Sequence, residues 1–385
     1  MHVVVLGAGY AGISVTRRLE RRLPSDVELT LVNDSPDHLI QHELHRVIRR
    51  PELAPEITVS LPEVLDRAAV QVARVERIDR DERTVVLSNE RLSYDVAAVC
   101  LGAETAYYGL EGVREHATPL KRLSHAHRIR SRALEVLTDG GARIVVGGAG
   151  LSGVQVAGEL AALARERDPD ATVALLEQFD SVAPQFPANF QRAVDRALSD
   201  AGVEVRTGAT VETADERAVH LEAGERIPFD QFVWTGGIRG PDALDGERPT
   251  VRSDLRLGER TFALGDAARV VDEDGDPTPA SAQAAVRQAR TAAANVTKLV
   301  EALGETGTAD AGFEPELDRF SFRAPGWLVS VGDDAVAQVG PAVLTGRPAK
   351  ALKSSVGVGY LSSVGATGAA VGRARSEFDP RRYLD

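Results

Sequence analysis

The chain has 385 residues, of which 43% are hydrophobic and 5% aromatic, and it is long enough for two or three folded domains. Its formal net charge of -12 argues against nucleic acid as a partner, because phosphate backbones select basic surfaces. No apolar run approaches the roughly 20 residues that span a bilayer, and no basic segment precedes the first predicted strand. We therefore expect a cytoplasmic protein that at most rests on the inner face of the cell membrane.

Two features of the composition bear on the kind of organism the protein comes from and on the redox chemistry it can perform. Only four of the 45 basic residues are lysines. An acidic, lysine-poor composition is typical of a halophilic protein, because excess surface charge keeps a protein soluble when salt screens it. A GC-rich genome that favours arginine codons is the alternative explanation. The single cysteine, Cys100, excludes a redox-active disulfide, which needs two cysteines.

The first predicted strand runs into the sequence GAGYAG, in which Gly7, Gly9 and Gly12 have the spacing GxGxxG. The first glycine permits a tight turn, the second lets the backbone approach a pyrophosphate, and the third lets the helix pack closely on the strand. Tyr10 and Ala11 open the helix, whose unpaired N–H groups and positive dipole end favour an anion. The segment predicts a dinucleotide-binding turn.

A second strand ends beside Asn33 and Asp34, where an acidic residue would normally hydrogen-bond a ribose diol. Asn33 can form that bond without a charge, and Asp34 follows one position later. Further short β-like runs end at Gly102, where glycine again allows close approach of the backbone.

Residues 37–50 carry three histidines, His38, His42 and His45. A metal site is one interpretation of their spacing. We favour a partly buried segment that roofs the cofactor, because no cysteine or convincing carboxylate completes a ligand set.

The glycine pattern returns in VVGGAGLSG, with Gly148, Gly150 and Gly153. Two phosphate-binding turns in one chain imply two dinucleotides, a tightly bound electron carrier and a transient nicotinamide. That pairing points to a flavoprotein oxidoreductase. The next strand ends at Glu177, whose carboxylate would accept from the ribose hydroxyls and repel a 2′-phosphate, which favours NADH over NADPH.

Two later strands end in glycine turns. FVWTGG ends at Gly236 and Gly237, and TFALGDAA places Gly265 and Asp266 at the end of a strand. Asp266 would either bind a sugar-alcohol hydroxyl or cap a helix, and the residues alone leave both open.

The remaining segments are less specific. The sequence at residues 272–279, DEDGDPTP, predicts a solvated acidic loop rather than a calcium site, because it lacks the glycine and the closing glutamate of a calcium loop.

A helix is predicted over 280–303. Another, over 350–372, has apolar residues four apart and Gly368 and Gly372 in GxxxG spacing. Docking on a membrane or a second subunit and packing against its own chain are equal alternatives for it.

With these motifs, the chain resembles the type II NADH dehydrogenases, single-subunit NADH:quinone oxidoreductases among the FAD- and NAD(P)-dependent flavoproteins with two dinucleotide domains. VVVLGAGYAG is similar to the FAD-binding turn of that family, VVGGAGLSGVQVAGEL to its NADH-binding turn, and FVWTGG to its WTAG-like turn. TFALGDAA is similar to the segment whose aspartate holds the ribityl chain, and ASAQAAVRQA to the AQxAxQQ helix start near flavin and quinone. Related sulfide:quinone reductases need catalytic cysteines that this chain lacks.

The resemblance implies an α/β protein with two Rossmann-like dinucleotide-binding domains and a small C-terminal domain. The FAD-binding domain would comprise residues 1–109 and 250–305, the NADH-binding domain 110–249, and the C-terminal domain 306–385, which would contact a membrane or a second copy in a homodimer. FAD is the implied cofactor, NADH the substrate and a menaquinone-type quinone the acceptor, with no metal. The motifs and the resemblance together assign cofactor contacts to Gly7, Gly9, Tyr10, Ala11, Gly12, Asn33, Asp34, Gly102, Gly148, Gly150, Gly153, Glu177, Gly236, Gly237, Gly265, Asp266 and Gln283.

Two positions depart from the family pattern. Gln155 stands where a glutamate usually faces flavin and nicotinamide; an amide permits hydride transfer but cannot relay a proton. In the AQ helix Gln283 matches, whereas Arg287 replaces a glutamine. These three are the predicted catalytic residues. A soluble NADH diaphorase or electron-transfer reductase with a non-quinone acceptor, and a flavin-bound NADH sensor without fast turnover, are the alternative functions.

Overall fold

Both glycine-rich segments join a buried parallel strand to a helix in the computed structural model, which describes residues 1–138, 140–306, 315–366 and 370. Runs of valine and leucine form the inner strands, because β-branched and apolar side chains suit a sheet that is covered on both faces. The first part of the chain contains β1 (His2–Leu6), α1 (Tyr10–Glu20), β2 (Glu28–Asn33), β3 (Asp37–Leu39), α2 (Arg46–Arg49), β4 (Thr58–Ser60), α3 (Leu61–Val64), β5 (Ala69–Val72), β6 (Val75–Asp79), β7 (Thr84–Leu87), β8 (Arg91–Ser93), β9 (Val96–Val99) and β10 (Glu104–Thr105).

The middle of the chain repeats the order of strand, turn and helix. Its elements are α4 (Val113–His116), β11 (Ala117–Pro119), α5 (Leu123–Val136), β12 (Arg143–Gly147), α6 (Leu151–Arg167), β13 (Thr172–Leu176), α7 (Ala188–Asp200), β14 (Val203–Arg206), β15 (Val211–Ala214), β16 (Ala218–Leu221), β17 (Arg226–Pro228), β18 (Gln231–Trp234) and β19 (Ile238–Arg239). Five of the strands form a parallel sheet in the order β11-β18-β12-β13-β14, and β15, β16 and β17 form a separate antiparallel sheet.

The chain then returns to the first sheet. This part contains β20 (Thr250–Val251), β21 (Arg256–Gly258), β22 (Thr261–Ala263), β23 (Arg269–Val270) and α8 (Ala282–Thr306). Because β22 pairs in parallel with β9, the first sheet has the order β21-β22-β9-β1-β2-β5. Helix α8 packs along α1, so the two halves of this domain share one core.

The chain crosses between the two parallel sheets at β10 and β19, which pair with each other antiparallel. The predicted domain limits at residues 109 and 249 fall four residues beyond the end of β10 and ten residues beyond the end of β19. Two Rossmann-like units of this kind confirm the predicted fold class.

The C-terminal part is an antiparallel sheet of β24 (Gly326–Val331), β25 (Asp334–Val339) and β26 (Ala342–Thr345), followed by α9 (Arg347–Ser363). Strand β24 packs on α6, and α9 packs on β25. Helix α9 is shorter than the helix predicted over 350–372, and Gly368 and Gly372 lie outside the described residues. Among the helices that are described, none combines the length and the apolar character needed to cross a membrane.

Arg49 forms ion pairs that link the three parts of the molecule. The Arg49 guanidinium, at the end of α2, lies 2.7 Å from the Glu166 carboxylate of α6 and 2.8 Å from that of Asp333, between β24 and β25. Arg130 of α5 donates to the carbonyl groups of Ile48 and Arg49. The short helix α2 is therefore fastened to both neighbouring units.

Candidate functional site

The two glycine-rich segments, here the first glycine turn (residues 7–12) and the second glycine turn (residues 148–153), share one geometry. Gly7 has φ +95°, and a Cβ at this residue would lie 2.5 Å from the Cys100 carbonyl oxygen. Gly148 has φ +91°, and its Cβ would lie 2.6 Å from the Cα of Gly236. Each first glycine thus presses against the end of a neighbouring strand, which only a residue without a side chain permits.

The third glycine of each turn packs against the first. A Cβ on Gly12 would overlap the carbonyl oxygen of Gly7, and a Cβ on Gly153 would overlap that of Gly148. The middle residues, Gly9 and Gly150, differ from these, because a Cβ on either would meet no atom within 4 Å. The glycines that pack are therefore structural, and the middle ones face open space.

The open space lies at the start of a long helix in both cases. Gly9 is the N-cap of α1 and Gly150 the N-cap of α6, and neither helix has a side-chain hydrogen bond at its cap. The first backbone N–H groups of a helix have no partner within it, and they carry the positive end of the helix dipole. Both sites fit the pyrophosphate of a dinucleotide.

The residues expected to bind ribose also brace these turns. The Asn33 side-chain oxygen accepts from the backbone N–H of Ala8 at 2.9 Å, and a Glu177 carboxylate oxygen accepts from that of Ala149 at 2.7 Å. The other Glu177 oxygen accepts from the N–H of Phe179 at 3.1 Å. Each carboxylate oxygen retains a second lone pair, so Glu177 can hold the loop and still accept from a ribose hydroxyl.

A cleft of about 1080 Å³ runs from the first glycine turn along the carboxyl ends of the strands. This volume is slightly above the range of about 300–1,000 Å³ that is usual for small-molecule sites. Gly7, Gly9, Asn33, Asp34 and Gly102 all line it. The position matches the rule that open α/β sheets bind ligands outside the carboxyl ends of their strands.

His38 and His45 have separate hydrogen-bond partners. His38 lies between the Ala8 carbonyl, 2.7 Å from its Nδ1, and the Tyr360 hydroxyl, 2.7 Å from its Nε2. His45 bonds Ser330 through Nε2 at 2.9 Å. His38 and His45 are both buried, and within the described part of the chain no group of three metal-ligating side chains is present.

His38 has a defined tautomer. A carbonyl oxygen can only accept, so Nδ1–H donates to Ala8 and Nε2 accepts from the Tyr360 hydroxyl. Burial lowers the pKa of His38 to about 4, although the bond to Ala8 opposes the shift. The imidazole is therefore neutral and bridges the first glycine turn to α9, with the Tyr10 and Tyr360 rings packed edge to face beside it.

Asp266 does not cap a helix. It lies inside a short 3₁₀ turn whose N-cap is Leu264, while its backbone carbonyl accepts from Arg248 at 2.7 Å. The preceding Gly265 donates its N–H to the side-chain oxygen of Gln288 at 2.7 Å. The helix-cap alternative for Asp266 is wrong, and Gln288, to which the sequence assigned no role, fixes the turn that presents Asp266.

The three predicted catalytic residues lie on two helices, Gln155 on α6 and both Gln283 and Arg287 on α8. Gln155 is in the second turn of α6, half-buried, and Gln283 is half-buried in the first turn of α8. The guanidinium of Arg287 lies over the Phe322 ring at 5.6 Å and donates to the Arg323 carbonyl. Arg287 is therefore held by the segment that precedes the C-terminal sheet.

The structure corrects the prediction made for the loop at residues 272–279. Asp272 is 7% exposed, and its carboxylate accepts from the backbone N–H groups of Asp274 and Asp276 at 3.0 Å and of Phe322 at 3.3 Å. The expectation of a solvated loop is wrong at this residue, because the carboxylate satisfies the loop's own donors and holds the following segment.

A buried polar group that the sequence did not single out lies one turn after Gln155. Glu159 is 3% exposed, and burial raises the pKa of its carboxyl to about 7, although Arg50, Arg49, Lys353 and Arg46 oppose the shift. The feature of the sequence that could have identified Glu159 is the presence of a glutamate within the apolar stripe of α6.

We expect opposite phenotypes from two alanine substitutions in the first glycine turn. Gly12→Ala places a methyl group against the Gly7 carbonyl and should lower the free energy of unfolding by about 1–3 kcal/mol. Gly9→Ala, with φ -69°, should fold normally but weaken FAD binding, because its methyl group points into the open space. Chemical denaturation and FAD titration of both variants test this; a Gly9→Ala protein with unchanged FAD affinity would contradict it.

Glu159 should make stability depend on pH. The folded chain keeps a proton that the unfolded chain releases between the ordinary carboxyl pKa and about 7, so stability falls as pH rises through this window. Glu159→Gln removes this loss of stability, which amounts to roughly 3 kcal/mol at pH 8. Thermal unfolding between pH 5 and 8 measures it, with the exposed Glu135→Gln as the control. Parallel curves for wild type and Glu159→Gln would exclude the effect.

Comparison with known proteins gives consistent results over the whole chain. Type II NADH:quinone oxidoreductases of Staphylococcus aureus strains MSSA476 and NCTC 8325 are 25% identical over 406 residues, which covers 96% of this chain and 97% of theirs.

Two solved structures share the fold. NDH2 from Plasmodium falciparum in complex with NADH has a TM-score of 0.80 at 13% identity, covering 100% of this chain and 98% of that one. The sulfide:quinone oxidoreductase of Aquifex aeolicus has a TM-score of 0.78 at 17% identity, covering 94% and 91%. Residues 1–289 match the family described as pyridine nucleotide-disulphide oxidoreductase, and they contain both glycine turns, Asp266 and the start of α8. The chain belongs to the pyridine nucleotide-disulphide oxidoreductase family.

Proposed function

We propose that this protein is a type II NADH:quinone oxidoreductase. When bound, FAD supplies the redox chemistry, accepting a hydride from NADH and returning two electrons to a quinone. The observation that carries the proposal is the pair of glycine turns with open middle glycines, in a chain that matches proteins of that name over nearly its full length. The protein itself would bind FAD and NADH, orient them and exclude water from the site.

The first glycine turn and Asp266 would hold FAD. The N–H groups at the start of α1 meet its pyrophosphate beyond Gly9, and the Asp266 carboxylate accepts from the hydroxyls of its ribityl chain. Asn33 and Gln288 keep these two binding elements in place, through the N–H groups of Ala8 and Gly265.

The second glycine turn would hold NADH. The N–H groups at the start of α6 meet the pyrophosphate beyond Gly150, and Glu177 accepts from the adenosine ribose. Gly236 lies against the turn, and with Gly237 and Gln155 it would position the nicotinamide. Because the Gln155 amide does not titrate, it orients the substrate and relays no proton.

Gln283 and Arg287 would face the acceptor. The hydrogen bond to Arg323 uses one guanidinium N–H of Arg287, which leaves donors for a quinone carbonyl. In this proposal the acceptor is a menaquinone-type quinone. The C-terminal domain contacts the inner face of the cell membrane or a second copy of the chain, and α9 presents Val356, 56% exposed.

Both half-reactions can be followed through the visible absorbance of the flavin. In the absence of oxygen, NADH should bleach it rapidly, and a soluble menaquinone analogue should then restore it rapidly. Bleaching without recovery would replace the quinone by another acceptor and favour a soluble diaphorase. Bound flavin that NADH bleaches only slowly would identify a sensor and contradict the proposal.

Glu177 should set the choice of coenzyme. Glu177→Gln keeps the shape of the side chain but removes the charge that repels a 2′-phosphate. We expect the ratio of kcat/KM for NADH to that for NADPH to fall about tenfold, the loss of one charge-assisted hydrogen bond. The exposed Glu222→Gln, on the neighbouring antiparallel sheet, is the matched control. An unchanged ratio would remove Glu177 from the site.

A further inference from the structure

Tyr108 has a backbone conformation that a bulky side chain disfavours. The Leu110 N–H donates to the Tyr107 carbonyl at 2.9 Å, and the two residues between them, Tyr108 and Gly109, have φ +54° and +71°. Positive φ at both central positions is the pattern of a type I′ turn, in which glycine, asparagine and aspartate predominate. Tyr108 is therefore strained, because its Cβ crowds the backbone in this conformation.

Packing does not account for the strain at Tyr108. Four other described residues besides glycines have positive φ. Two of them, Ala183 and Leu255, are buried in the core, and the other two, Arg83 and Asp245, are exposed polar residues of loops. Tyr108 is 68% exposed, more than any other large hydrophobic side chain of the described residues. Strain that no packing interaction offsets is typical of a residue that serves a binding site.

The hydroxyl of Tyr108 lies on the glycine pair that follows β18, Gly236 and Gly237. Its oxygen is 3.5 Å from the Gly236 carbonyl oxygen, which is the outer limit for a hydrogen bond, and a Cβ on Gly237 would overlap it. Gly236 in turn packs against Gly148, the first residue of the second glycine turn. The hydroxyl thus lies on the same edge of the second sheet as the residues assigned to NADH.

The segment that carries Tyr108 is fixed at both of its ends. At one end, the Ala106 N–H donates to the Gly237 carbonyl at 3.0 Å, and the Ala106 carbonyl accepts from the Trp234 indole at 2.8 Å. At the other end, Gly112 packs so closely on Ala214 that a Cβ would overlap the carbonyl oxygen of that residue. The backbone therefore keeps the tyrosine beside the glycine pair, while its ring remains accessible.

The carboxamide of a nicotinamide matches the hydroxyl of Tyr108. A carboxamide offers two N–H donors and a carbonyl acceptor, and a phenol hydroxyl can both donate and accept. The contact with Gly236 is too long to hold the hydroxyl strongly, so little is lost when a ligand takes its place. A nicotinamide seated on the glycine pair would bring its carboxamide to this hydroxyl.

We propose that Tyr108 binds NADH by a hydrogen bond between its hydroxyl and the nicotinamide carboxamide. This inference rests on the proposed assignment of Gly236 and Gly237 to the nicotinamide. It also explains the strained turn, because a residue better suited to positive φ would relieve the strain and lose the contact.

Two ligands that differ at the nicotinamide test the proposal. A tetrahydro analogue of NADH keeps the carboxamide but cannot reduce the flavin, whereas ADP-ribose lacks the nicotinamide altogether. We expect Tyr108→Phe, which loses only the hydroxyl, to raise the Kd of the full-length, flavin-loaded protein for the analogue about 3- to 10-fold. Its Kd for ADP-ribose should not change, because the rest of the site is intact.

A second variant separates the strain from the contact. Tyr108→Asn gives the turn the favoured sequence Asn-Gly and should raise the Tm of the ligand-free protein by roughly 2–4 °C. It should also weaken binding of the analogue at least as much as Tyr108→Phe does. Arg83→Asn is the matched control: this exposed residue, with φ +50° between β6 and β7, should raise the Tm and leave both affinities unchanged.

The outcomes distinguish this inference from the proposed function. Unchanged affinity of Tyr108→Phe for the analogue, or an equal loss of affinity for the analogue and ADP-ribose, would overturn the inference and leave the NADH site standing. A lower Tm for Tyr108→Asn would overturn the argument from strain. Failure of wild type to bind either ligand would instead overturn the proposed function itself.

Discussion

The contact on which both nucleotide sites depend is the packing of the third glycine of each turn against the carbonyl group of the first. It brings α1 onto β1 and α6 onto β12 at a distance that leaves no room for a Cβ. The helix starts are thereby fixed at the carboxyl ends of the two parallel sheets, with their N–H groups directed into open space. This close approach therefore determines where each helix begins, where its partly positive N–H groups lie, and that a ligand can reach them.

The two glycine turns are braced by side chains of different charge. Asn33 and Glu177 occupy equivalent positions and hold equivalent N–H groups, yet only one of them carries a charge. The neutral residue serves the turn assigned to a resident cofactor, and the charged one serves the turn assigned to an exchanging substrate that must be distinguished from its phosphorylated form. Under the proposed function, the same hydrogen bond to the turn would come from a residue that selects the ligand at one site and from a neutral residue at the other.

The sequence predicted those features that are encoded locally. The glycine spacing, the strands before each turn and the beginning of α1 at Tyr10 follow from steric limits within a dozen residues. The sequence did not single out Gln288 or Glu159, because the hydrogen bond of the first and the burial of the second arise only in the assembled domains. Asp272 was misjudged for the same reason: acidic neighbours suggested solvent, while the fold supplied three N–H donors.

The His38 bridge has a thermodynamic consequence. One imidazole links a carbonyl of the first glycine turn to the hydroxyl of Tyr360 on α9, so neither element can move without breaking a buried hydrogen bond. Any binding event that needs α9 seated therefore favours the formed turn, and occupation of the turn favours the seated helix to the same extent. Any attachment of α9 to a surface would therefore be coupled reciprocally to retention of the nucleotide in the first glycine turn.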